Sequence, residues 1–137
     1  MNRKQIDSST LFASRYNSIF DAIMQHRYTE YTFTGGRGSC KSSFISICIV
    51  LLIVMFPSFN ALIIRKNANT LCTSVYEQII WAIDKLGLRS RFKIPKSQTS
   101  APPIAYMRKN GRWQYIIFRG CDNPEKIKSI KIAQGYF

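Results

Sequence analysis

The 137-residue sequence predicts an α/β domain, a mainly parallel sheet flanked by helices, with a β-hairpin in the C-terminal third. Three observations carry this expectation. A glycine-rich stretch, Thr34-Gly35-Gly36-Arg37-Gly38-Ser39-Cys40-Lys41-Ser42-Ser43, stands between a β-prone run and a long apolar segment. Compact apolar runs alternate with helical patterns as far as Leu86. Asn110-Gly111 then separates two further strand-like runs, a strong hairpin signal.

Length suits one hydrophobic core rather than two. At 46% apolar and 13% aromatic residues the chain is of globular rather than disordered composition. Twenty basic residues against seven acidic give a formal charge of +13, which suits an anionic partner: nucleic acid, nucleotide or an acidic membrane surface. A coat of solvated lysines gives the same balance without any such partner. The four cysteines, Cys40, Cys48, Cys72 and Cys121, form no C-x-x-C pair, and His26 is the only histidine, which argues against a zinc site. No signal-peptide pattern opens the chain, so reduced thiols in a cytoplasmic compartment are expected.

Residues 1–27 are read as a helical lead-in. Met1 to Thr10 are polar; from Leu11 to Met24 the apolar Phe12, Tyr16, Ile19, Phe20 and Ile23 recur at helical spacing, with Ser8-Ser9-Thr10 available as a cap. Tyr28 to Thr34 is expected to be the first strand, and Tyr28 or Arg27 either stacks on a nucleobase or packs the entry to the sheet. Phe44 to Phe56 is wholly apolar and stopped by Pro57. Its thirteen residues would cover about 20 Å as a helix, short of a bilayer core. A buried helix is the better reading, with a strand or a membrane-associated segment left open, because periodicity cannot decide in an all-apolar run.

Phe59 to Ile64, ending in Arg65-Lys66, reads as a second buried strand. Asn69-Thr70 can cap a helix reaching Leu86, with Val75, Ile79, Ile80, Ile83 and Leu86 on one face and Gly87 as its stop. Ile104 to Met107 and Trp113 to Phe118 form the hairpin, whose basic tip Arg108-Lys109-Asn110-Gly111-Arg112 either touches nucleic acid or is simply solvated. Asn123-Pro124-Glu125 opens a turn or short helix, and Lys126 to Ile132 alternates as a half-exposed strand would.

The chemistry is concentrated in the glycine-rich stretch. A strand, a glycine turn and Lys-Ser opening a helix is the layout of a phosphate-binding loop. Backbone N–H groups of the turn form an anion nest, reinforced by the helix N-terminus. The nucleotide-binding residues are then Gly35, Gly36, Arg37, Gly38, Ser39, Cys40, Lys41, Ser42 and Ser43. Lys41 would reach the β- and γ-phosphates of ATP, and Ser42 would offer its hydroxyl to the accompanying Mg²⁺. Cys40 stands where the G-x-x-x-x-G-K-[ST] pattern has its last glycine, at a point where a Cβ is expected to strain the backbone. An unrelated Gly/Ser turn remains the alternative.

Three segments resemble a known family: the loop itself; Asn60 to Lys66 with Asn69-Thr70 and Ser74-Val75-Tyr76; and Ile116 to Gly120 with Asp122 and Pro124 to Ser129. Together they look like the N-terminal part of the ATPase domain of tailed-bacteriophage terminase large subunits of the PBSX-like kind, the motors that package DNA into capsids. The resemblance implies a P-loop NTPase-type fold over residues 28–137. It implies ATP and Mg²⁺ as cofactors, and double-stranded phage DNA, a small terminase subunit and a portal protein as partners, with no membrane. Arg37 matches the arginine thought to act in cis on the γ-phosphate, the catalytic residue carried over. The family's acidic strand, with its metal-holding and water-activating carboxylates, and its nuclease domain have no counterpart in these residues. None of the seven acidic residues (Asp7, Asp21, Glu30, Glu77, Asp84, Asp122 and Glu125) ends a strongly apolar strand. Nucleotide binding without hydrolysis or DNA cleavage is therefore expected, and a basic nucleic-acid-binding module without nucleotide function is the alternative.

Overall fold

The computed structural model describes residues 12–36, 38, 40–66, 71–96 and 101–120, with residues 71–73 described in backbone only. The expected cap at 8–10, the capping pair at 69–70 and the elements beyond 120 lie outside these residues. No helix among the described residues is long and apolar enough to cross a membrane.

A short 3₁₀ turn, Ser14–Tyr16, leads into α1, Asn17–Met24. Helix α1 buries Ala22 and Ile23 and sets Tyr16 against the core. Next comes the glycine-rich loop and then α2, Lys41–Met55. Every residue of α2 from Ser46 to Ile53 is buried, which is why the segment is apolar on all sides instead of on one stripe. Of the readings left open for this run, helix is the outcome, and it begins at Lys41, three residues earlier than the apolar run itself. Pro57 lies two residues beyond its end. Phe44 anchors the first turn: Tyr16 stacks on it with centroids 4.5 Å apart and planes 8° off parallel, while Phe12 and Phe33 meet its ring at 5.0 and 5.8 Å.

Strand β1 is Ala61–Arg65, and a π-helical turn, Leu71–Tyr76, opens α3, Glu77–Lys85. Helix α3 buries Ile79, Ala82 and Ile83, and Val75, Ile80 and Leu86 are half-buried beside them, the apolar face the spacing predicts. Strand β2 is Phe92–Lys93, β3 is Ile104–Met107 and β4 is Trp113–Gly120. These form one sheet in the order β1-β4-β3-β2. Strand β1 runs parallel to β4, with Ala61 opposite Ile116 and Arg65 opposite Gly120. Strands β4 and β3, and β3 and β2, are antiparallel.

Three expectations need correction. The sheet is mixed rather than mainly parallel, because two of its three pairings, the hairpin of β3 with β4 and the pairing of β2 with β3, are antiparallel, and the crossover from β1 to β4 supplies the parallel third. Tyr28 to Thr34 forms no strand. A strand needs a neighbour for its backbone groups, and this segment is instead held by side chains: Tyr31 donates its hydroxyl to the carbonyl of Ala22 at 3.0 Å, and Phe33 packs on Phe44. Strand β1 is also less buried than expected, with Ile64 47% exposed: among the described residues β1 has a neighbour on one side, and alternation puts Ile63, not Ile64, on the face that shares a pocket with α2 and α3.

The hairpin tip departs from expectation too. The turn runs from Arg108 to Gly111 around Lys109 and Asn110, closed by the Gly111 N–H donating to the carbonyl of Arg108 at 3.0 Å, with Gly111 at φ 84°. Arg108, however, points inward. Its Nη2 donates to the carbonyls of Ile53 and Val54 at 3.1 and 2.9 Å, and its Nε to Oε1 of Gln114 at 2.6 Å. Buried Gln114 in turn directs its amide nitrogen at the carbonyls of Ile53, Phe56 and Phe59, 2.7 to 2.9 Å away. The last turn of α2 has carbonyls that no intrahelical N–H can reach, and a cation there also opposes the negative end of the helix dipole. Arg108 is thus a helix cap rather than a contact for nucleic acid; Lys109 and Arg112 remain exposed.

Candidate functional site

The loop borders an open pocket of about 510 Å³ lined by Gly35, Gly36, Gly38, Cys40, Lys41, Ser42 and Ser43. Seven of the nine sequence-predicted binding residues therefore share one pocket; Arg37 and Ser39 lie outside the described residues. Lys41 reaches back over the turn, its Nζ donating to the carbonyls of Gly35 at 2.6 Å and Gly36 at 3.2 Å. A flexible cation held by two loop carbonyls can be exchanged onto an anion entering the bowl. Gly38 has φ 79°, where side-chain-bearing residues are disfavoured.

Cys40 also sits in the left-handed region, at φ 59° and ψ 19°, immediately before the first residue of α2. For an L-residue this costs roughly 1–2 kcal/mol. Its side chain makes no cap to the helix, and its thiol lies 3.8 Å from the carbonyl of Gly38. The N-terminal N–H groups of α2 are therefore left without a side-chain cap from Cys40 at the edge of the loop pocket, as an anion site requires. Ser42 and Ser43 occupy this first turn, and Ser46 back-bonds to the carbonyl of Ser42 at 2.7 Å. Farther along α2, Cys48 is buried, and that burial pushes its thiol up to about 12, which removes it as a nucleophile.

The two residues weighed for base stacking stand apart from the pocket lining. Tyr28 is 62% exposed and meets Tyr31 edge-on, and Arg27 hydrogen-bonds Gln25 at 2.7 Å. Sequence reasoning passed over a second group. Arg65, the last residue of β1, bonds to Ser74 in the π-helical turn, and Gln78 of α3 reaches Ser43 at 3.4 Å. A strand-ending arginine with no acidic residue nearby in the chain was the available signal. Arg65, Ser74 and Ser42 belong to the wall of one cavity of about 340 Å³, so the loop stands at the carboxyl end of β1, where α/β sheets gather their ligands.

The described residues thus form a mixed α/β layer in which a lysine-bearing, glycine-rich loop precedes a buried helix. Comparison with known proteins identifies the relatives. Residues 27–136 match the family model described as phage terminase large subunit. The chain is 36% identical over 131 residues to the terminase large subunit of Bacillus phage SPP1, covering 96% of this chain and 29% of that protein. It is 33% identical over 110 residues to the PBSX phage terminase large subunit of Bacillus subtilis strain 168, covering 80% of this chain and 24% of that one. No solved structure is significantly similar. The chain belongs to the phage terminase large subunit family, and it spans less than a third of the length of either relative.

Proposed function

We propose that this chain is the ATP-binding part of a viral DNA-packaging motor, working in the host cytoplasm on double-stranded phage DNA beside a small terminase subunit and a portal protein. The observation that carries the nucleotide reading is Lys41 Nζ, held by the carbonyls of Gly35 and Gly36 over a loop pocket at the start of α2. On this reading Lys41 leaves those carbonyls for the β- and γ-phosphates, and the N–H groups at the start of α2 hold the phosphate oxygens. Ser42 would hold Mg²⁺, which would neutralise phosphate charge when bound. Arg37 would act on the γ-phosphate.

Binding rather than hydrolysis is the proposed output of these residues alone. Among the described residues, β1 ends on Arg65, which is no carboxylate, and no acidic residue lines the loop pocket. Titration calorimetry with ADP and Mg²⁺ tests the reading. Lys41→Ala is expected to weaken binding by about tenfold or more, the loss of a charge-assisted contact. ATP turnover by the isolated chain above the buffer rate would refute the assignment of a binding-only role.

A further inference from the structure

Arg65 is a partly exposed residue whose guanidinium makes a surface hydrogen bond to a neutral hydroxyl. It donates to Ser74, and no carboxylate pairs with it among the described residues. A guanidinium at a pocket wall with no carboxylate beside it is free to form charge-assisted bonds to an anion that arrives as ligand. The cavity it lines, about 340 Å³, is apolar at its base through Ile63 and Ile79 and polar where Ser42 and Ser74 join Arg65. Ser42 is also part of the wall of the loop pocket. An anion extending from the loop past Ser42 therefore enters the space that Arg65 borders.

We propose that Arg65 is a second cationic contact of this site and distinguishes a nucleoside triphosphate from a diphosphate by binding the terminal phosphate. The inference rests on the reading of the loop as a nucleotide site and adds the residue that senses the third phosphate. Guanidinium suits the task, since its planar fork can bind two phosphate oxygens at once, whereas the lysine of the loop acts as a point charge. Binding exchanges one partner for another: Arg65 leaves the hydroxyl of Ser74, and the π-helical turn that carries Ser74 loses its tie to β1. Helix α3 begins at the end of that turn and touches the loop helix through Gln78 and Ser43. Turns of this wider kind recur at functional sites because they repack readily.

The test is a matched pair of calorimetric titrations of the 137-residue chain, with ADP and with a non-hydrolysable triphosphate analogue, both with Mg²⁺. Arg65→Gln is expected to weaken the triphosphate by about ten- to a hundredfold, the worth of a charge-assisted bond, and to leave ADP within about twofold. Arg65→Lys should recover part of that loss. Ser74→Ala, which frees the guanidinium, should tighten the triphosphate and not ADP. Circular dichroism melting of each variant reads the structural alternative: a bracing role lowers stability and weakens both nucleotides equally, which overturns the proposal. Equal affinities of the wild type and Arg65→Gln for the triphosphate overturn it as well. If the wild-type chain binds neither nucleotide, the nucleotide reading of the loop fails, and the role of Arg65 falls with it.

Discussion

Cys40 holds φ at 59° between the loop and α2, a conformation that glycine adopts freely and that a Cβ opposes. Replacing it with glycine is expected to raise the unfolding free energy by about 1 kcal/mol, read as a higher urea midpoint at unchanged slope. The same change should tighten ADP binding, because the loop then closes on phosphate without the strained residue. Cys40→Gly with neither gain would show that the position costs nothing. Cys48 makes a different forecast. The unfolded chain releases this thiol proton near pH 9.0, and the folded chain only near about 12. The native state thus binds the proton more tightly, so the stabilisation is complete below pH 9 and disappears as pH rises toward 12. Over that window the wild type should lose up to about 4 kcal/mol more than Cys48→Ala, measured by denaturant titration at each pH. A parallel fall in both proteins would remove Cys48 from the account. That Gly35, Gly36, Gly38, Lys41 and Ser42 line one pocket was legible in the sequence, because they are near neighbours in a single glycine-rich turn that opens a helix. Arg65 was not, since its meaning depends on where β1 ends relative to α2.

At the scale of elements, α2 is fixed at both ends by other parts of the chain. Phe44 is held by rings from the stretch just ahead of α1 and from the segment entering the loop, and the final carbonyls are held by Arg108 and Gln114. Gln114→Leu keeps much of the volume but leaves the carbonyls of Ile53, Phe56 and Phe59 without this donor. A loss of about 2–3 kcal/mol is expected in chemical denaturation, with Arg108→Ala costing about 2 kcal/mol. Because the two side chains share one network, the double variant should lose less than the sum. Periodicity revealed α1, α3 and the hairpin well. The strand expected over Tyr28 to Thr34 failed for a reason no local pattern contains: propensity proposes a strand, and only a neighbouring edge makes one. Arg108 was misjudged in the same way, as one more basic residue at a solvated tip, when a helix end more than fifty residues earlier in the chain is what turns it inward.

For the whole molecule, the +13 charge is the most general property and the least specific. Among the described residues one ion pair forms, Arg89 with Asp84 at 2.9 Å on the surface, where such a pair adds little stability. Among the described residues, Lys66, Lys93, Lys96, Lys109 and Arg112 are exposed and can meet an external anion. Duplex DNA binding by fluorescence anisotropy is expected to weaken by about tenfold or more between 50 and 200 mM salt. It should survive Lys41→Ala within about twofold, because that lysine serves the loop and not the surface. Salt-independent binding would contradict this. Finally, the capped end of α2 has a mechanical meaning. Its fifteen residues make a rod about 22 Å long. One tip forms part of the wall of the loop pocket, and the other is gripped by the hairpin. Close packing along the shaft leaves little room to bend, so a load applied at the hairpin arrives at the loop as a displacement of the whole rod.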